Sequence, residues 1–331
     1  MIQAEENGAA DAESQVLDLS SMQLPSLEGI CLPPSLQTVL LTANRLTALD
    51  ASLLNLTGLL SLCLRQNLLS NISGLSALKA ASGLQSLSVY DNQIVQVPDL
   101  HSFTSLTHLD LSYNHLTSLT ELKCLAQGQL QELYASSNSL SSTKGLSGLQ
   151  SLTLLELGCN RLRDTDEIQQ LTGLQELWLG SNRISASPPF GRWKRLRKLS
   201  LQSNRLKQIA GLEECALLEE LWLSHNGLSS IQGLHQLTAL SALDVTSNQL
   251  THLEGLSALA GLQDLWADIN QLSDWPLLAS AMQPLRNGLT CLSLAENPVC
   301  RAFPSSYEAQ IRHLLPALKE LDGKQLDDRH N

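Results

Sequence analysis

Apart from leucine, the sequence is poor in the residues that build most protein cores and catalytic sites. Aromatic residues make up only 4% of its 331 residues, and charged residues only 16%. There are 21 basic residues against 32 acidic ones, which gives a net charge of −11. Nucleic-acid phosphates repel a strongly acidic chain, so we expect no nucleic-acid binding. Such a chain instead suits a partner that carries a basic patch.

Other absences narrow the class of protein further. No stretch reaches the roughly 18–20 consecutive apolar residues that a spanning helix requires, and the acidic start has no apolar signal segment. The seven scattered cysteines include no CxxC pair, which favours a reducing compartment without disulfides or structural zinc. No GxxxxGK[ST] phosphate loop occurs. We therefore predict a non-enzyme that does not insert into membranes and needs no metal or cofactor.

Leucine, by contrast, accounts for 77 residues, and most of them follow one repeat. The pattern LxxLxLxxNxL, with other apolar residues at some leucine positions, occurs twelve times between residues 36 and 299. Twelve of the seventeen asparagines occupy its asparagine position, and those from Asn138 to Asn270 are always 22 residues apart. This regularity predicts an α/β fold, the leucine-rich repeat solenoid.

The spacing of the repeat explains the expected architecture. The LxL alternation has the period of a strand, so the leucines point into a shared core and the residue between them points outward. Such short strands are stable only when stacked. We therefore predict a curved parallel sheet on the concave face and short 3₁₀ or α turns on the convex face. Each asparagine amide is expected to bond backbone groups in the turn after its strand.

The repeat also defines five segments along the chain. They are a disordered acidic N-terminus (1–14), an N-terminal cap with a degenerate repeat (15–35), the leucine-rich repeats (36–296), a C-terminal cap (297–323) and a tail (324–331).

Three segments depart from the repeat. The C-terminal cap is expected to contain an amphipathic helix from Tyr307 to Leu315, which covers the last leucine layer together with Phe303. The segment SPPFGRW at 187–193 replaces an ordinary convex segment, and the insert WPLLASAMQPLRNG occupies 275–288.

The outward residue between the strand leucines predicts the functional surface. Three of the five tryptophans occupy this one position, although aromatic residues on strands can also simply fit a pleated surface. Three tryptophans at one phase, interleaved with carboxylates, favour a binding surface, because tryptophan is enriched at interface hot spots. The two tryptophans outside the strands, Trp193 and Trp275, are expected to be packing residues.

Acids flank this position and dominate its charge. Arg65 and Lys198 are the main basic residues on the same outward face. Asp244 and Asp264 are expected to be neighbours on adjacent strands. That pair could act as two catalytic acids, but carboxylates that face a partner are the favoured interpretation. The flanking outward acids are Glu132, Glu176, Glu220, Asp264 and Asp268.

Within residues 174–276, the segments LWLGSNRI, LSLQSNRL, LEELWLSHNGL, LDVTSNQL and LQDLWADINQLSDW resemble the family of the leucine-rich regulatory subunit seven of protein phosphatase 1. The cap with NPV, LLPAL and LDG is similar too, and the resemblance covers about residues 36–322. It implies a non-catalytic protein in nucleus and cytoplasm that holds the catalytic subunit of protein phosphatase 1 on its concave face. We expect it to be a monomer in isolation.

The resemblance also implies a set of partner-binding residues. The family tends to have phenylalanine where Tyr134 and Trp178 stand, glutamate where Asp264 stands and tyrosine where Ser293 stands. Trp222 is added because it lies between two residues of the set on the same face. The full set is Asp110, Tyr134, Glu156, Trp178, Trp222, Asp244, Asp264 and Trp266.

Two other functions remain open. A repeat scaffold for an axonemal or tubulin-linked cytoskeletal partner is the main alternative. An RNA-associated repeat protein is disfavoured by the acidic outward face.

The short phosphatase-docking motif, a basic residue followed by Val/Ile-x-Phe/Trp, does not occur in the sequence. A phosphatase partner would therefore dock on the surface of the repeats.

Overall fold

The computed structural model describes residues 15–78, 82–231, 233–253, 255–302 and 306–326. The contacts divide the chain into two compact units. Unit 1 contains residues 1–161 and 166–171, and unit 2 contains residues 162–165 and 172–331. Each repeat contributes one three-residue parallel strand, followed by a turn and an irregular return segment. The prediction of a leucine-rich repeat fold is confirmed.

The strands of unit 1 lie side by side in sequence order and are all parallel. Their middle residues pair without offset, as Leu109 does with Leu133, and these middle residues are buried. The strands are β1 (Val16–Asp18), β2 (Thr38–Leu40), β3 (Ser61–Cys63), β4 (Ser86–Ser88), β5 (His108–Asp110), β6 (Glu132–Tyr134) and β7 (Leu154–Glu156).

Unit 2 continues the same arrangement and ends in a hairpin. Its first seven strands are parallel and in sequence order, and the last strand is antiparallel to the one before it. The strands are β8 (Glu176–Trp178), β9 (Lys198–Ser200), β10 (Glu220–Trp222), β11 (Ala242–Asp244), β12 (Asp264–Trp266), β13 (Cys291–Ser293), β14 (Glu320–Leu321) and β15 (Lys324–Gln325).

The final hairpin places a strand in the segment that the sequence assigned to a tail. Asp322 and Gly323 have φ values of 50° and 75°, so they form a two-residue turn with both central residues left-handed. Asp-Gly is a preferred pair for this turn because glycine adopts positive φ without steric cost. The backbone N–H of Leu326 also donates to the carbonyl of Lys319 at 2.7 Å, so regular structure extends through residues 324–326.

The repeat asparagines form the predicted network of bonded amides, and most of them are buried. Nδ2 of Asn248 donates to the carbonyls of Val245 at 2.9 Å and Thr246 at 3.2 Å, in its own turn. The same nitrogen donates to the carbonyl of Leu223 in the preceding repeat at 3.0 Å, and Oδ1 accepts from the N–H of Leu228 at 3.0 Å. Each such amide therefore ties its repeat to the one before. The same four-bond pattern recurs at Asn44, Asn67, Asn92, Asn114, Asn138, Asn160, Asn204, Asn226 and Asn270.

The residue before each repeat asparagine is left-handed, which the sequence did not predict. Tyr113 has φ 54° and Ile269 has φ 51°, although both carry side chains that disfavour positive φ. The backbone N–H of Ile269 donates to the carbonyl of Ala295 in the next repeat at 2.9 Å. Bonds between neighbouring repeats thus hold this strained conformation along the array.

The return segments contain short 3₁₀ turns that pack leucines against the core. These turns span Ala51–Asn55, Ser73–Ala77, Thr120–Leu125, Ile168–Gln170, Phe190–Arg192, Leu212–Glu214, Leu234–Gln236, Leu256–Ala258 and Gln283–Leu285.

The two irregular segments of the repeat region both supply packing. Trp193 is fully buried, as expected, and meets Phe190 edge-on at a centroid distance of 6.2 Å. The insert forms helix α1 (Trp275–Met282), which begins after Asp274, whose Oδ1 accepts from the N–H of Leu277 at 2.9 Å. Trp275 is only half-buried, so it packs less completely than Trp193.

The C-terminal cap adds helices α2 (Pro298–Ala302) and α3 (Tyr307–Leu314). Within this cap, Ile311 and Leu315 are buried, as expected for side chains that cover the last leucine layer. Phe303 lies outside the described residues.

Candidate partner-binding surface

The eight predicted site residues all lie on outward strand positions, as the alternation of the strands requires. All eight are half-buried, and their strand neighbours in the leucine core are fully buried. We call Asp110, Tyr134 and Glu156 the unit 1 patch. We call Trp178, Trp222, Asp244, Asp264 and Trp266 the unit 2 patch.

In the unit 1 patch an aromatic ring stands between two carboxylates. The strand register places Tyr134 beside Asp110 on one side and Glu156 on the other. Oδ1 of Asp110 accepts from the backbone N–H of Ser112 at 3.1 Å, and its Oδ2 accepts from the hydroxyl of Ser88 at 3.2 Å. These two bonds fix the Asp110 carboxylate on the surface.

In the unit 1 patch, the surroundings of Glu156 disfavour its charged form. Partial burial raises the pKa of Glu156, and the negative charge of Asp110 raises it further, whereas a hydrogen bond from Ser136 lowers it. Burial penalises the charged form because the carboxylate loses water. A cation placed beside Glu156 would offset this loss.

The unit 2 patch contains a stacked pair of indoles. The register pairs Trp222 with Asp244 and Asp244 with Trp266, so one strand separates the two tryptophans. Strands two places apart are about 9–10 Å apart, whereas the ring centroids are only 5.6 Å apart with 20° between the planes. The two rings therefore lean toward each other across β11, which carries Asp244. The sequence predicted the shared face but not this contact.

The two aspartates of the unit 2 patch do not form the acid pair considered from the sequence. Asp264 pairs with Ala242, and Asp244 pairs with Trp266, so the two carboxylates are offset by two residues along their strands. They stand on adjacent strands, as expected, but the register does not place them directly opposite each other. Partial burial raises the pKa of Asp264, and the charge of Glu320 on β14 adds to this effect.

Three of the flanking outward acids have hydrogen bonds within the chain. The Tyr134 hydroxyl donates to Oε2 of Glu132 at 2.8 Å. The Nε1–H groups of Trp178 and Trp222 donate to Oε2 of Glu176 at 3.3 Å and Oε2 of Glu220 at 3.4 Å. In each case the acid stands two residues before the aromatic residue on the same strand, so E-L-[YW] is the signal that could have revealed these bonds.

The flanking acid Asp268, near the end of the repeats, is also hydrogen-bonded within the chain. The hydroxyl of Ser293, which stands where the resemblance implies a tyrosine, donates to Oδ1 of Asp268. Oδ2 of Asp268 accepts from the hydroxyl of Thr246 at 3.4 Å. This edge of the sheet is therefore polar and bonded within the chain.

An aromatic cluster in unit 1 was missed from the sequence. The guanidinium of Arg65 lies 4.3 Å from the ring centroid of Tyr90, and this ring is 4.9 Å from that of Tyr113. Tyr90 stands two residues past the end of its strand, and Tyr113 occupies the left-handed position before Asn114. The sequence analysis considered the flanking positions only for their charged residues, such as Arg65, and so did not include the two tyrosines.

Neither a metal centre nor a membrane span is found in the described part of the chain. Its histidines, cysteines and acids form no group that could hold a metal ion. None of its helices is long and apolar enough to cross a membrane. All seven cysteines are free thiols.

Comparison with known proteins supports the leucine-rich repeat, and one relative is named as a homolog of a phosphatase regulator. The family model described as "Leucine Rich repeats (2 copies)" matches residues 82–124, 172–214 and 217–260. A protein of Arabidopsis thaliana named as a homolog of the protein phosphatase 1 regulatory inhibitor subunit PPP1R7 is 42% identical over 163 residues, which is 49% of each chain. The resemblance stated from the sequence is confirmed over this half. The chain thus spans about half the length of this curated relative.

Two solved structures agree on the fold, and a second relative matches a shorter segment in sequence. A probable inactive serine/threonine-protein kinase, roco10 of Dictyostelium discoideum, is 33% identical over 109 residues, or 32% of this chain and 4% of that protein. An internalin of Listeria monocytogenes gives a TM-score of 0.82 at 24% identity, covering 94% of this chain and 87% of its own. A leucine-rich repeat protein of Leptospira interrogans gives 0.72 at 25% identity, covering 93% and 96%.

Proposed function

We propose that this chain, which is a leucine-rich repeat protein, is a non-catalytic regulatory subunit that binds the catalytic subunit of protein phosphatase 1. The proposal places binding on the outward residues of the unit 1 and unit 2 patches, and it places the protein in nucleus and cytoplasm. The name of the Arabidopsis relative supports the regulatory role and the partner. The proposal for the character of the binding surface rests on the geometry of this chain.

The stacked pair Trp222–Trp266 is the observation that carries the proposal. Two half-exposed indoles meet at 5.6 Å on a surface where the leucine core does not need them. An ordered aromatic pair is a large apolar contact with little conformational freedom left to lose on binding. Aromatic anchors of this kind dominate the binding energy of protein interfaces.

The charges around the pair favour a basic partner surface. Asp244 lies between the two tryptophans in register, and Asp264 precedes Trp266 by two residues on the same strand. Carboxylates at the rim of an aromatic contact attract basic side chains, and tryptophan faces also attract cations. In the unit 1 patch, Glu156 loses solvation without gaining a cation from the residues that the structure describes. A basic patch on the catalytic subunit would satisfy both places.

Truncation of the stacked pair tests the proposal. Trp222→Ala and Trp266→Ala should each weaken binding of the catalytic subunit by about thirtyfold, because loss of a buried interface tryptophan costs about 2 kcal/mol. Calorimetry of the purified proteins measures this loss. Both variants should keep the melting temperature of the wild type, since neither ring belongs to the leucine core.

The control must be an apolar residue outside the strands. Leu217→Ala serves this purpose, because Leu217 is 47% exposed on a return segment, and it should bind like the wild type. Trp193 is unsuitable, because its full burial means that truncation would open a cavity in the core. Wild-type affinity in both tryptophan variants would refute the proposed surface. Lack of binding by the wild-type chain would refute the partner and leave the cytoskeletal alternative.

A further inference from the structure

We propose that the glutamate two residues before an outward aromatic residue is a positioning residue, which fixes the ring that a partner meets. The pairs are Glu132 with Tyr134, Glu176 with Trp178, and Glu220 with Trp222. The consequence for binding rests on the proposed function. The consequence for the ring concerns the free protein and can be measured without any partner.

In unit 1 the positioning carboxylate is held at both oxygens. Oε2 of Glu132 accepts from the hydroxyl of Tyr134 at 2.8 Å. Oε1 of Glu132 lies 3.1 Å from Nε2 of His108, which occupies the paired position on the preceding strand. The carboxylate is thus fixed by a basic residue on one strand and in turn orients an aromatic residue on the next.

Unit 2 repeats this arrangement with different residues. Oε2 of Glu220 accepts from Nε1–H of Trp222 at 3.4 Å, and Oε1 of Glu220 lies 3.2 Å from Nζ of Lys198. Lys198 is paired with Glu220 in the strand register, as His108 is with Glu132. The hydrogen bond and charge of Glu220 raise the pKa of Lys198, so the lysine stays charged beside it. Two independent positions therefore use the same three-part contact.

Trp266 lacks this contact and depends on its neighbour instead. The residue two positions earlier is Asp264, one methylene shorter than glutamate, and no bond from Trp266 to it is found among the described residues. The ring of Trp266 instead stacks on Trp222. Because Glu220 holds Trp222 and Trp222 holds Trp266, one carboxylate orders both indoles.

This order has a direct effect on binding. A half-exposed tryptophan that samples several rotamers must be immobilised when a partner covers it, and this immobilisation weakens affinity. A ring that is already fixed avoids the loss. The outward acids thus divide into flanking acids that orient rings, such as Glu220, and acids of the patches that are available to the partner, such as Asp244.

Two substitutions of Glu220 separate positioning from charge. Glu220→Gln keeps the side-chain length and an oxygen acceptor for Trp222 but removes the charge. Glu220→Leu keeps similar volume but removes the acceptor. The matched control is Glu219→Leu, which removes the adjacent acid and its ion pair with Arg197 and leaves the Trp222 contact intact.

The first readout is the pair of circular dichroism bands that two stacked indoles give through exciton coupling. We expect Glu220→Gln and Glu219→Leu to keep these bands in the free protein, and Glu220→Leu to lose most of them. Trp222→Phe defines the spectrum without the stack. Full bands in Glu220→Leu, with an unchanged melting temperature, would overturn the proposal.

The second readout is affinity for the catalytic subunit of protein phosphatase 1. Glu220→Leu should weaken binding about three- to tenfold, which is the effect of losing one hydrogen bond. The affinity of Glu220→Gln should stay within about twofold of the wild-type affinity. Equal losses in both variants with intact bands would show that Glu220 meets the partner as a charge, which contradicts positioning. If the wild-type chain fails to bind, the proposed function fails, and the bands alone still decide the positioning role.

Discussion

The asparagine network allows a prediction whose magnitude follows from counted bonds. Asn248→Ala removes four hydrogen bonds, three from Nδ2 and one to Oδ1. The three carbonyls each keep another donor. Those of Leu223 and Val245 still accept from the amides of neighbouring repeats, and that of Thr246 still accepts from a backbone N–H. Only the N–H of Leu228 loses its acceptor.

The cost is therefore dominated by one buried donor. An unsatisfied buried N–H costs about 1–3 kcal/mol, and the weakened carbonyl bonds add about 1 kcal/mol. We expect Asn248→Ala to lower the free energy of unfolding by about 2–4 kcal/mol. For a unit of this size, that loss corresponds to a fall in melting temperature of about 5–15 °C. Calorimetric or spectroscopic melting of the purified chain measures it.

An asparagine outside the network provides the control. Asn287 is exposed in the insert, so Asn287→Ala should melt within about 1 °C of the wild type. A melting temperature of Asn248→Ala equal to that of Asn287→Ala would show that the Leu228 N–H does not carry this cost. It would mean that water replaces the amide at the Leu228 N–H without cost.

Two further predictions concern electrostatics and the core. Folding raises the pKa of Glu156, so the stability linked to its protonation is present below its ordinary value of 4.5 and is lost as pH rises through the folded-state pKa. Glu156→Gln should therefore be more stable than the wild type at pH 7, and the difference should vanish below pH 4.5 in denaturant titrations. Leu243 is fully buried between Leu221 and Leu265, so Leu243→Asp should abolish hydrogen-exchange protection through much of unit 2, since a buried unpaired charge costs several kcal/mol. Ala242→Asp, on the half-buried first position of the same strand, should leave that protection intact, and an unaffected Leu243→Asp variant would contradict the assigned register.

The repeat itself was predictable because its chemistry is local and recurrent. The strand alternation placed Leu221 in the core and Trp222 on the surface, and the structure has both there. The role of Asn248 followed from the need to satisfy amide groups in a buried turn. The left-handed residue before it was not predictable from type, because positions such as Ile269 carry residues that disfavour positive φ and are held by bonds between repeats.

The details of the surface needed the structure, because phase along a strand does not fix a rotamer or a register. The sequence placed Trp222 and Trp266 on one face but could not show that their rings meet across β11. It treated Glu220 as an acid for a partner, whereas its oxygens meet Trp222 and Lys198 within the chain. A count of surface charges cannot distinguish such internal acids from available ones.

The affinity of the purified chain for the catalytic subunit of protein phosphatase 1, compared between the wild type and Asp244→Arg, decides whether the unit 2 patch binds this partner. In the strand register Asp244 stands between the two stacked indoles, and its side chain accepts a local hydrogen bond from the N–H of Thr246. Charge reversal there should weaken binding at least tenfold without a change in melting temperature, and wild-type affinity should fall as added salt screens the acids. Glu213→Arg, on an exposed return segment, should bind normally. Equal affinities for the wild type, Asp244→Arg and Glu213→Arg would refute binding through the unit 2 patch.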